Sequence, residues 1–253
     1  MAIVDSLVAR WRQGCRTVSL PVEPSVLPER FRGLPVLDAS RCAPGCTACA
    51  EACPTAAIQP EPLSIDLGRC LFCTDCIRAC PSGAVQLSRD HRLATRTRDG
   101  LNLGAQALAL ADSLERSTRR LFGRSLKLRQ VSAGGCNACE ADTNVLSTVV
   151  FDLGRFGVQF VASPRHADGL LVTGPVTHNM RAALLSTYEA VPSPRLVIAV
   201  GACAISGGPY ADHPEVVGGV DPLLPVDLYV PGCPPHPHTI LDGLLRLLGR
   251  LPR

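Results

Sequence analysis

Eight of the thirteen cysteines crowd into residues 42–80, with a spacing suited to metal binding. From Cys70 to Cys80 the spacing is C-x2-C-x2-C-x3-C followed by proline, and the stretch from Cys42 to Cys53 is a close copy. Duplication of a cysteine motif indicates two equivalent sites. The N-terminal residues do not resemble a secretory signal, so we expect the thiols to stay reduced and to bind metal rather than form disulfides.

The second copy fits the run by which bacterial ferredoxins bind two [4Fe-4S] clusters. In that run three close cysteines hold one cluster and the fourth reaches the other, so the ligands are expected to cross between the copies. The first site is then Cys42, Cys46, Cys49 and Cys80, and the second site is Cys53, Cys70, Cys73 and Cys76. Structural zinc sites, the alternative, use pairs of ligands rather than a tight triplet with a distant fourth.

One spacing departs from the ferredoxin run. Three residues, Ala43 to Gly45, separate Cys42 from Cys46 where the run has two. The additional Pro-Gly could bulge outward and leave Cys42 in place, or it could make the first site more labile. Cys42 is therefore the least secure of the eight expected ligands.

Five cysteines remain, and four of them lie in the second half of the chain: Cys136, Cys139, Cys203 and Cys233. The pair in GGCNACE could be half of a zinc site, a dithiol, a disulfide or part of an iron–sulfur ligand set. Three of the four closely follow β-like runs, and the carboxyl ends of parallel strands meet at one edge of a sheet. We therefore expect a third site there, with glycines at 134, 135, 201, 207, 208 and 232 letting the backbone approach a cluster. Cys15 is left over.

The rest of the chain must position these sites, and its patterning predicts four regions. Residues 1–34 form an extension with a short amphipathic helix, then a stretch kept extended by Pro21, Pro24 and Pro28. Residues 35–90 hold the duplicated motif. Residues 91–125 are a linker in which leucines recur near helical spacing, which predicts a connecting helix.

Residues 126–253 alternate short strands with amphipathic helices, which indicates an α/β domain with a mostly parallel sheet. The expected strands are LKLRQV, GVQFVA, GLLVTG, RLVIAV and VDLYV. The expected helices follow Thr177 and occupy the C-terminal PHTILDGLLRLLGRL.

The segments GGCNACE, RFGVQFVASPRHADGLLVTGPVTHNM, VIAVGACAISGG and VDLYVPGCPPHPHTIL resemble the small subunit shared by complex I and the energy-converting [NiFe] hydrogenases. The N-terminal half, entered through PERFRGLPVLDASRC, is similar to the two-cluster ferredoxin subunits of these complexes. The resemblance implies a flavodoxin-like α/β domain with one proximal [4Fe-4S] cluster, fused behind an α+β ferredoxin domain with two. Three [4Fe-4S] clusters are therefore expected. Complex I subunits carry adjacent cysteines where this chain has CNACE, so the spacing is similar to the hydrogenase branch.

The resemblance also implies a function: an electron-transfer subunit of an oxidoreductase complex, without a catalytic centre of its own. The implied partners are a [NiFe] hydrogenase or complex I-like large subunit, an electron-donor module (formate dehydrogenase or ferredoxin), and membrane-arm subunits at the cytoplasmic face of the cell membrane. Formate-hydrogenlyase-type complexes come first, and a complex I-like quinone oxidoreductase or a nickel-free relative is the alternative. The sequence shows no phosphate loop or nucleotide fingerprint, and its net charge of +3 is too dispersed to indicate nucleic-acid binding.

Three polar residues near the expected third site have open roles. Glu140 and Asp142 follow the cysteine pair and are either charges at a helix N-terminus or face a partner subunit. Glu140 in particular could tune the cluster or assist proton movement. His166, in the SPRHAD loop, is either an exposed residue or a group whose protonation is coupled to reduction.

Overall fold

A computed structural model describes residues 2–23, 27–104 and 108–251. The first helix is α1 (Ala2–Gln13), which the apolar spacing predicts, and its large apolar side chains are exposed: Ile3, Val4, Leu7, Val8 and Trp11. Neither α1 nor any other helix in these described ranges has the length and apolar character needed to cross a membrane.

Beyond α1, the extension lies against the rest of the protein. The Val18 N–H donates to the Val150 carbonyl at 2.7 Å, and Val22 and Leu27 are buried. This part of the extension therefore lies against the molecule as a strap. Pro24 lies outside the described residues.

The cysteine-rich half contains two small antiparallel sheets and two short helices. The elements are β1 (Pro35–Leu37), α2 (Ala48–Glu51), β2 (Ile58–Pro60), β3 (Leu63–Asp66), α3 (Asp75–Ala79), β4 (Val85–Leu87) and β5 (Asn102–Leu103). One sheet pairs β1 with β4, and the other has the order β2-β3-β5. Each copy of the motif supplies one helix and one following strand, α2 with β2 and α3 with β4. The sequence repeat is therefore also a structural repeat.

The linker differs from its prediction. Leucine spacing predicts a helix through residues 101–122, but the structure has only α4 (Arg116–Phe122), and Leu103 lies in β5. Before α4, the Leu114 N–H donates to the Leu247 carbonyl at 2.9 Å. Because this backbone finds its partner in a distant segment, it does not need helical hydrogen bonds, and the longer helix is wrong. Residues 105–107, part of the same prediction, lie outside the described residues.

The second half of the chain carries a five-stranded parallel sheet with helices on both faces. Its elements are β6 (Leu126–Ser132), α5 (Ala138–Val145), β7 (Val158–Phe160), β8 (Gly169–Thr173), α6 (His178–Ala190), β9 (Leu196–Val200), α7 (Ala202–Ser206), β10 (Leu228–Val230) and α8 (Pro237–Leu247). The strand order is β10-β9-β8-β6-β7, and every pair is parallel. Counted within the sheet, this is the 2-1-3-4-5 order of flavodoxin-like folds, so the predicted fold class is confirmed. The order reverses between β6 and β8.

Two buried apolar clusters lie on opposite faces of the parallel sheet. On one face, Leu170 and Val172 of β8 pack in the same cluster as Ile65 and Leu67 of the cysteine-rich half. On the other face, Leu171 packs with the leucines of α8. Alternate residues of β8 thus point to opposite faces. The cysteine-rich half covers one face, and the two halves of the chain share one core.

Candidate metal centres

Two cavities in the cysteine-rich half are each lined by four cysteines. One is lined by Cys42, Cys46, Cys49 and Cys80, the residues of the first site. The other is lined by Cys53, Cys70, Cys73 and Cys76, the residues of the second site. In each set three cysteines come from one copy of the motif and the fourth comes from the other copy. Most of the other lining side chains are apolar, Val85 in both cavities among them, so the thiols face surroundings of low polarity.

The one-residue insertion between Cys42 and Cys46 leaves Cys42 beside the other cysteines of the first site. The Cys46 N–H donates to the Ala43 carbonyl at 3.1 Å, which closes a tight turn. Gly45 has a φ of +72°, and a side chain added there would meet only open space. The insertion therefore bulges outward, as the first of the two sequence interpretations has it.

Backbone N–H groups point at the sulfur atoms of these sites. The Ala84 N–H lies 3.2 Å from Cys80 Sγ, and the Ala57 N–H lies 3.2 Å from Cys53 Sγ. Burial raises the pKa of Cys80, but hydrogen bonds from Ser82 and the Ala84 N–H outweigh it and lower that pKa to about 7. Donors aimed at sulfur stabilise the thiolate, which is the form that binds metal. The cysteine sulfur atoms of these two sites, with N–H groups directed at them, therefore fit an iron–sulfur cluster.

For the thiols deeper in the second site, burial outweighs the hydrogen bonds and the net shift of the pKa is upward. It raises the pKa of Cys70 to about 12 and that of Cys76 to about 11, and neighbouring thiols add to both rises. Thiols brought this close resist ionising together, because each thiolate disfavours the next. A cationic metal centre removes this penalty.

The third site forms at the carboxyl edge of the parallel sheet. Cys136 follows β6, Cys139 lies in α5, Cys203 lies in α7 after β9, and Cys233 follows β10. Burial raises the pKa of Cys203 to about 11, and the nearby Cys233 and Cys136 add to the rise. Burial and then Cys203 raise the pKa of Cys139 in the same way. The sheet thus brings together four cysteines that are widely separated in sequence.

The same local turn carries a cysteine pair in the second site and in the third. Thr74 follows Cys73 with a φ of +75°, and Asn137 follows Cys136 with a φ of +71°. Each of these left-handed residues is the N-cap of the short helix that carries the next cysteine. A left-handed conformation costs free energy for residues with a Cβ, and Asn tolerates it better than most. Two unrelated parts of the fold therefore use one geometry for C-x2-C.

Glycine lets the backbone lie directly against two thiols of the third site. Gly201 has a φ of +92°, and a Cβ there would lie 2.5 Å from Cys139 Sγ. A Cβ on Gly208 would lie 2.9 Å from Cys203 Sγ. The other four glycines differ from the expectation, because a Cβ at 134, 135, 207 or 232 would lie closest to Thr177, Gly174, Ala211 and Pro235 respectively rather than to a cysteine.

Glu140 is a buried acid beside the third site. Its side chain is only 6% exposed, and its Oε1 accepts hydrogen bonds from Ser132 Oγ at 2.5 Å and Thr173 Oγ1 at 2.7 Å. Ser132 and Thr173 end β6 and β8, so the carboxyl group occupies the crevice where the strand order reverses. It is one of the charges that raise the pKa of Cys139 and of Cys203. Glu140 is therefore an interior group rather than a surface charge. Asp142, whose pKa burial raises, lines a cleft with Cys233.

Three histidines that sequence reasoning missed form a group near Cys233. The rings of His236 and His238 stack at 5.1 Å, and His91 lies 5.8 Å from His238. His91 is brought there from a distant part of the chain, so no local spacing could reveal the group. Among the described residues, no three or more His, Cys, Asp or Glu side chains are placed to hold a single metal ion. His166, the histidine singled out from sequence, is exposed.

Acidification should destabilise the fold through His238. Burial, then the neighbouring His236 and His91, lower its pKa to about 4, below the ordinary value of about 6.5. The unfolded state therefore binds more protons between these values, and the stability that neutral His238 contributes is complete above pH 6.5 and lost as the pH falls toward 4. We expect His238→Phe to reduce the fall in melting temperature between about pH 6.5 and pH 5. His166→Phe should keep the wild-type slope, and equal slopes for all three proteins would contradict the prediction.

Two family models match the chain in succession. Residues 41–84 match the model described as a 4Fe-4S dicluster domain. Residues 136–247 match the model described as the 20 kDa subunit of NADH ubiquinone oxidoreductase. The two matches cover all eight cysteines of the first two sites and all four cysteines of the third.

Similar proteins occur in several complexes. Formate hydrogenlyase subunit 7 of Escherichia coli is 44% identical over 139 residues, which are 55% of this chain and 54% of that protein. A probable membrane-bound hydrogenase subunit of Pyrococcus furiosus is 43% identical over 132 residues, 52% of this chain and 79% of that protein. An NADH-quinone oxidoreductase subunit of Heliobacterium modesticaldum is 43% identical over 120 residues, 47% of this chain and 69% of that protein. The chain thus spans about half the length of the Escherichia coli relative.

Proposed function

Because this chain belongs to the family of the 20 kDa subunit of NADH ubiquinone oxidoreductase and carries a 4Fe-4S dicluster domain ahead of it, we propose that it relays electrons within a membrane-associated oxidoreductase complex. The observation that carries the proposal is the gathering of twelve cysteines into three groups of four. When bound, a [4Fe-4S] cluster accepts and releases single electrons. The chain is therefore an electron-transfer subunit, and catalysis belongs to a partner.

The proposal assigns one [4Fe-4S] cluster to each site. The ligands are Cys42, Cys46, Cys49 and Cys80 for the first, Cys53, Cys70, Cys73 and Cys76 for the second, and Cys136, Cys139, Cys203 and Cys233 for the third. Support comes from the crossed linings of the first two cavities, the N–H groups aimed at sulfur and the thiols that lie against Gly201 and Gly208. Cys15, exposed in the extension, has no place in any set.

The neighbours of the second site support placing it between the other two. Burial, then Cys73 and Cys53, raise the pKa of Cys76 in the second site, and Cys49 of the first site adds to the rise. Partial loss of solvent at the otherwise exposed Cys233 raises the pKa of this third-site thiol, and Cys136 and then Cys73 of the second site add to the rise. Phe72, between Cys70 and Cys73, also lines a cleft together with Cys233. The proposal therefore routes electrons between the first and third sites through the second.

We assign the large subunit to the edge of the sheet that carries the third site. Cys136 and Cys233 are exposed there, and exposed ligands need cover from water in an assembled complex. The CNACE spacing favours a [NiFe] large subunit, with a formate dehydrogenase module or a ferredoxin as donor at the first site. Membrane-arm subunits would hold the assembly at the inner face of the cell membrane, as the name of the Pyrococcus furiosus relative suggests.

A second candidate is a complex I-like quinone oxidoreductase or a nickel-free relative. It is favoured by the 43% identity to the NADH-quinone oxidoreductase subunit of Heliobacterium modesticaldum, which nearly equals the identity to the hydrogenase-type relatives. Purification of the native complex, with identification of the co-purifying large subunit and a nickel assay, separates the two. Nickel in the large subunit is expected for a hydrogenase. If the large subunit lacks nickel and the complex reduces quinone, the second candidate is the correct one.

Iron and sulfide content test the three-cluster assignment. We expect about twelve iron and about twelve sulfide per chain, since each of three clusters holds four of each. Cys203→Ser should lower both to about eight by removing a ligand of the third site, whereas Cys15→Ser should leave both unchanged. Zinc without sulfide in the wild-type protein would instead identify a zinc-stabilised scaffold.

Replacing Glu140 by glutamine should make the third cluster easier to reduce. The buried carboxylate lies beside Cys139 and Cys203, and a negative charge at this place opposes the arrival of an electron. We expect Glu140→Gln to raise the midpoint potential of that cluster by roughly tens of millivolts, measured by redox titration with electron paramagnetic resonance detection. The matched control is Glu189→Gln, an exposed acid on α6. Equal midpoint potentials in the wild type and both variants would contradict a role of Glu140 in setting the potential of the third cluster.

A further inference from the structure

The chain segment just before Cys70 lies in direct contact with the helix that carries Cys203. Ser206 Oγ, at the end of α7, donates to the Gly68 carbonyl at 2.9 Å. A Cβ added to Gly68 would lie 2.8 Å from Ile205 Cγ2, closer than a real Cβ tolerates. Glycine at this position therefore sets how closely the second site approaches the third.

An ion pair also holds this segment, and its arginine lies beside Gly68 as well, 2.9 Å from the place of an added Cβ. Arg98 donates through both terminal nitrogens to the Asp66 carboxylate, at 2.8 and 2.5 Å. Asp66 in turn accepts the Gly68 N–H through its side chain at 2.9 Å and the Cys70 N–H through its carbonyl at 3.0 Å. Bidentate pairs of this kind fix orientation as well as distance. The carboxylate thereby fixes the turn that leads into Cys70.

Arg98 also reaches toward the strand that leads into Cys233. Burial lowers the pKa of Arg98, but Asp66, and then Asp221 and Tyr229, raise it above its ordinary value. The Tyr229 hydroxyl donates to Asp221 Oδ1 at 2.5 Å. Tyr229 lies in β10, and it pairs with Thr95 by two backbone hydrogen bonds of 2.9 and 3.1 Å. The guanidinium is therefore bonded to the turn before Cys70 and interacts electrostatically with Tyr229 in the strand before Cys233.

We propose that Asp66, Gly68, Arg98 and Ser206 form a clamp whose role is to position the second site against the third for electron transfer. The inference rests on the proposed function. Gly68 lies two residues before Cys70 and Ser206 three residues after Cys203, so a shift at the clamp is transmitted directly to a ligand on each side. The rate of electron tunnelling falls exponentially with the distance between two clusters. The dipolar magnetic coupling between two reduced clusters falls with the cube of that distance. None of the four residues is a ligand, so each is a positioning residue.

The test is Gly68→Ala in the full chain loaded with iron and sulfide. We expect the iron and sulfide contents and the signal of each cluster to match the wild type. The spin–spin splitting between the reduced second and third clusters should narrow, and electron transfer between them, followed after flash reduction, should slow several-fold. The control is Gly104→Ala, because a Cβ there would meet only Ser64 Cβ, at an ordinary 3.5 Å.

A second variant keeps the test decisive if Gly68→Ala fails to load its clusters. Arg98→Gln removes the ion pair with Asp66 without adding bulk, and it should also narrow the spin–spin splitting between the second and third clusters. Arg98→Lys keeps the positive charge, so its splitting should lie between those of Arg98→Gln and the wild type. Wild-type splitting and transfer rate in a loaded Gly68→Ala and in Arg98→Gln would overturn the clamp and leave the three clusters standing. Fewer than about twelve iron in the wild type would instead refute the cluster assignment, and the clamp with it.

Discussion

Crowded thiols are the constraint on which this structure depends. Burial and neighbouring sulfur raise the pKa of Cys70, Cys139 and Cys203, so these thiols resist becoming thiolates without a metal. Iron exchanges those protons for coordination bonds, and much of the surrounding chain is arranged for that exchange. The backbone N–H groups at Cys53 and Cys80, the left-handed turns at Thr74 and Asn137 and the bare backbone at Gly201 all serve thiolates held close together.

The parallel sheet brings thiols together that are far apart in the sequence. A parallel sheet sends the ends of β6, β9 and β10 to one edge, which gathers the cysteines of the third site without a local motif. The reversal of strand order between β6 and β8 adds a crevice, and Glu140 fills it with a carboxyl group held by Ser132 and Thr173. A buried acid and a group of thiols share this edge, so the electrostatics of the third site are set from within the chain before any partner binds.

Sequence patterning was a good guide where local periodicity or spacing carried the information. The five parallel strands, α6 and α8 follow from apolar runs and amphipathic stretches, and the repeat in the cysteine-rich half follows from its duplicated spacing. The linker helix is present as α4 but was predicted too long, because leucines at helical spacing also suit an extended chain that docks on a core, as Leu114 does. The burial of Glu140 was not predictable, since an acid in the first turn of a helix occurs equally in solvent. The histidine group and the contact of Gly68 with Ile205 join distant segments, which one sequence cannot reveal.

The core shared by the two halves has a mechanical consequence. Ile65 and Leu67 pack with Leu170 and Val172 in one apolar cluster, so among the described residues the cysteine-rich half is fixed against the sheet. A mobile carrier would need a polar, separable interface between its two halves. Under the proposed function, this packing makes the chain a rigid electron-transfer subunit, in which the distances between sites are set during folding.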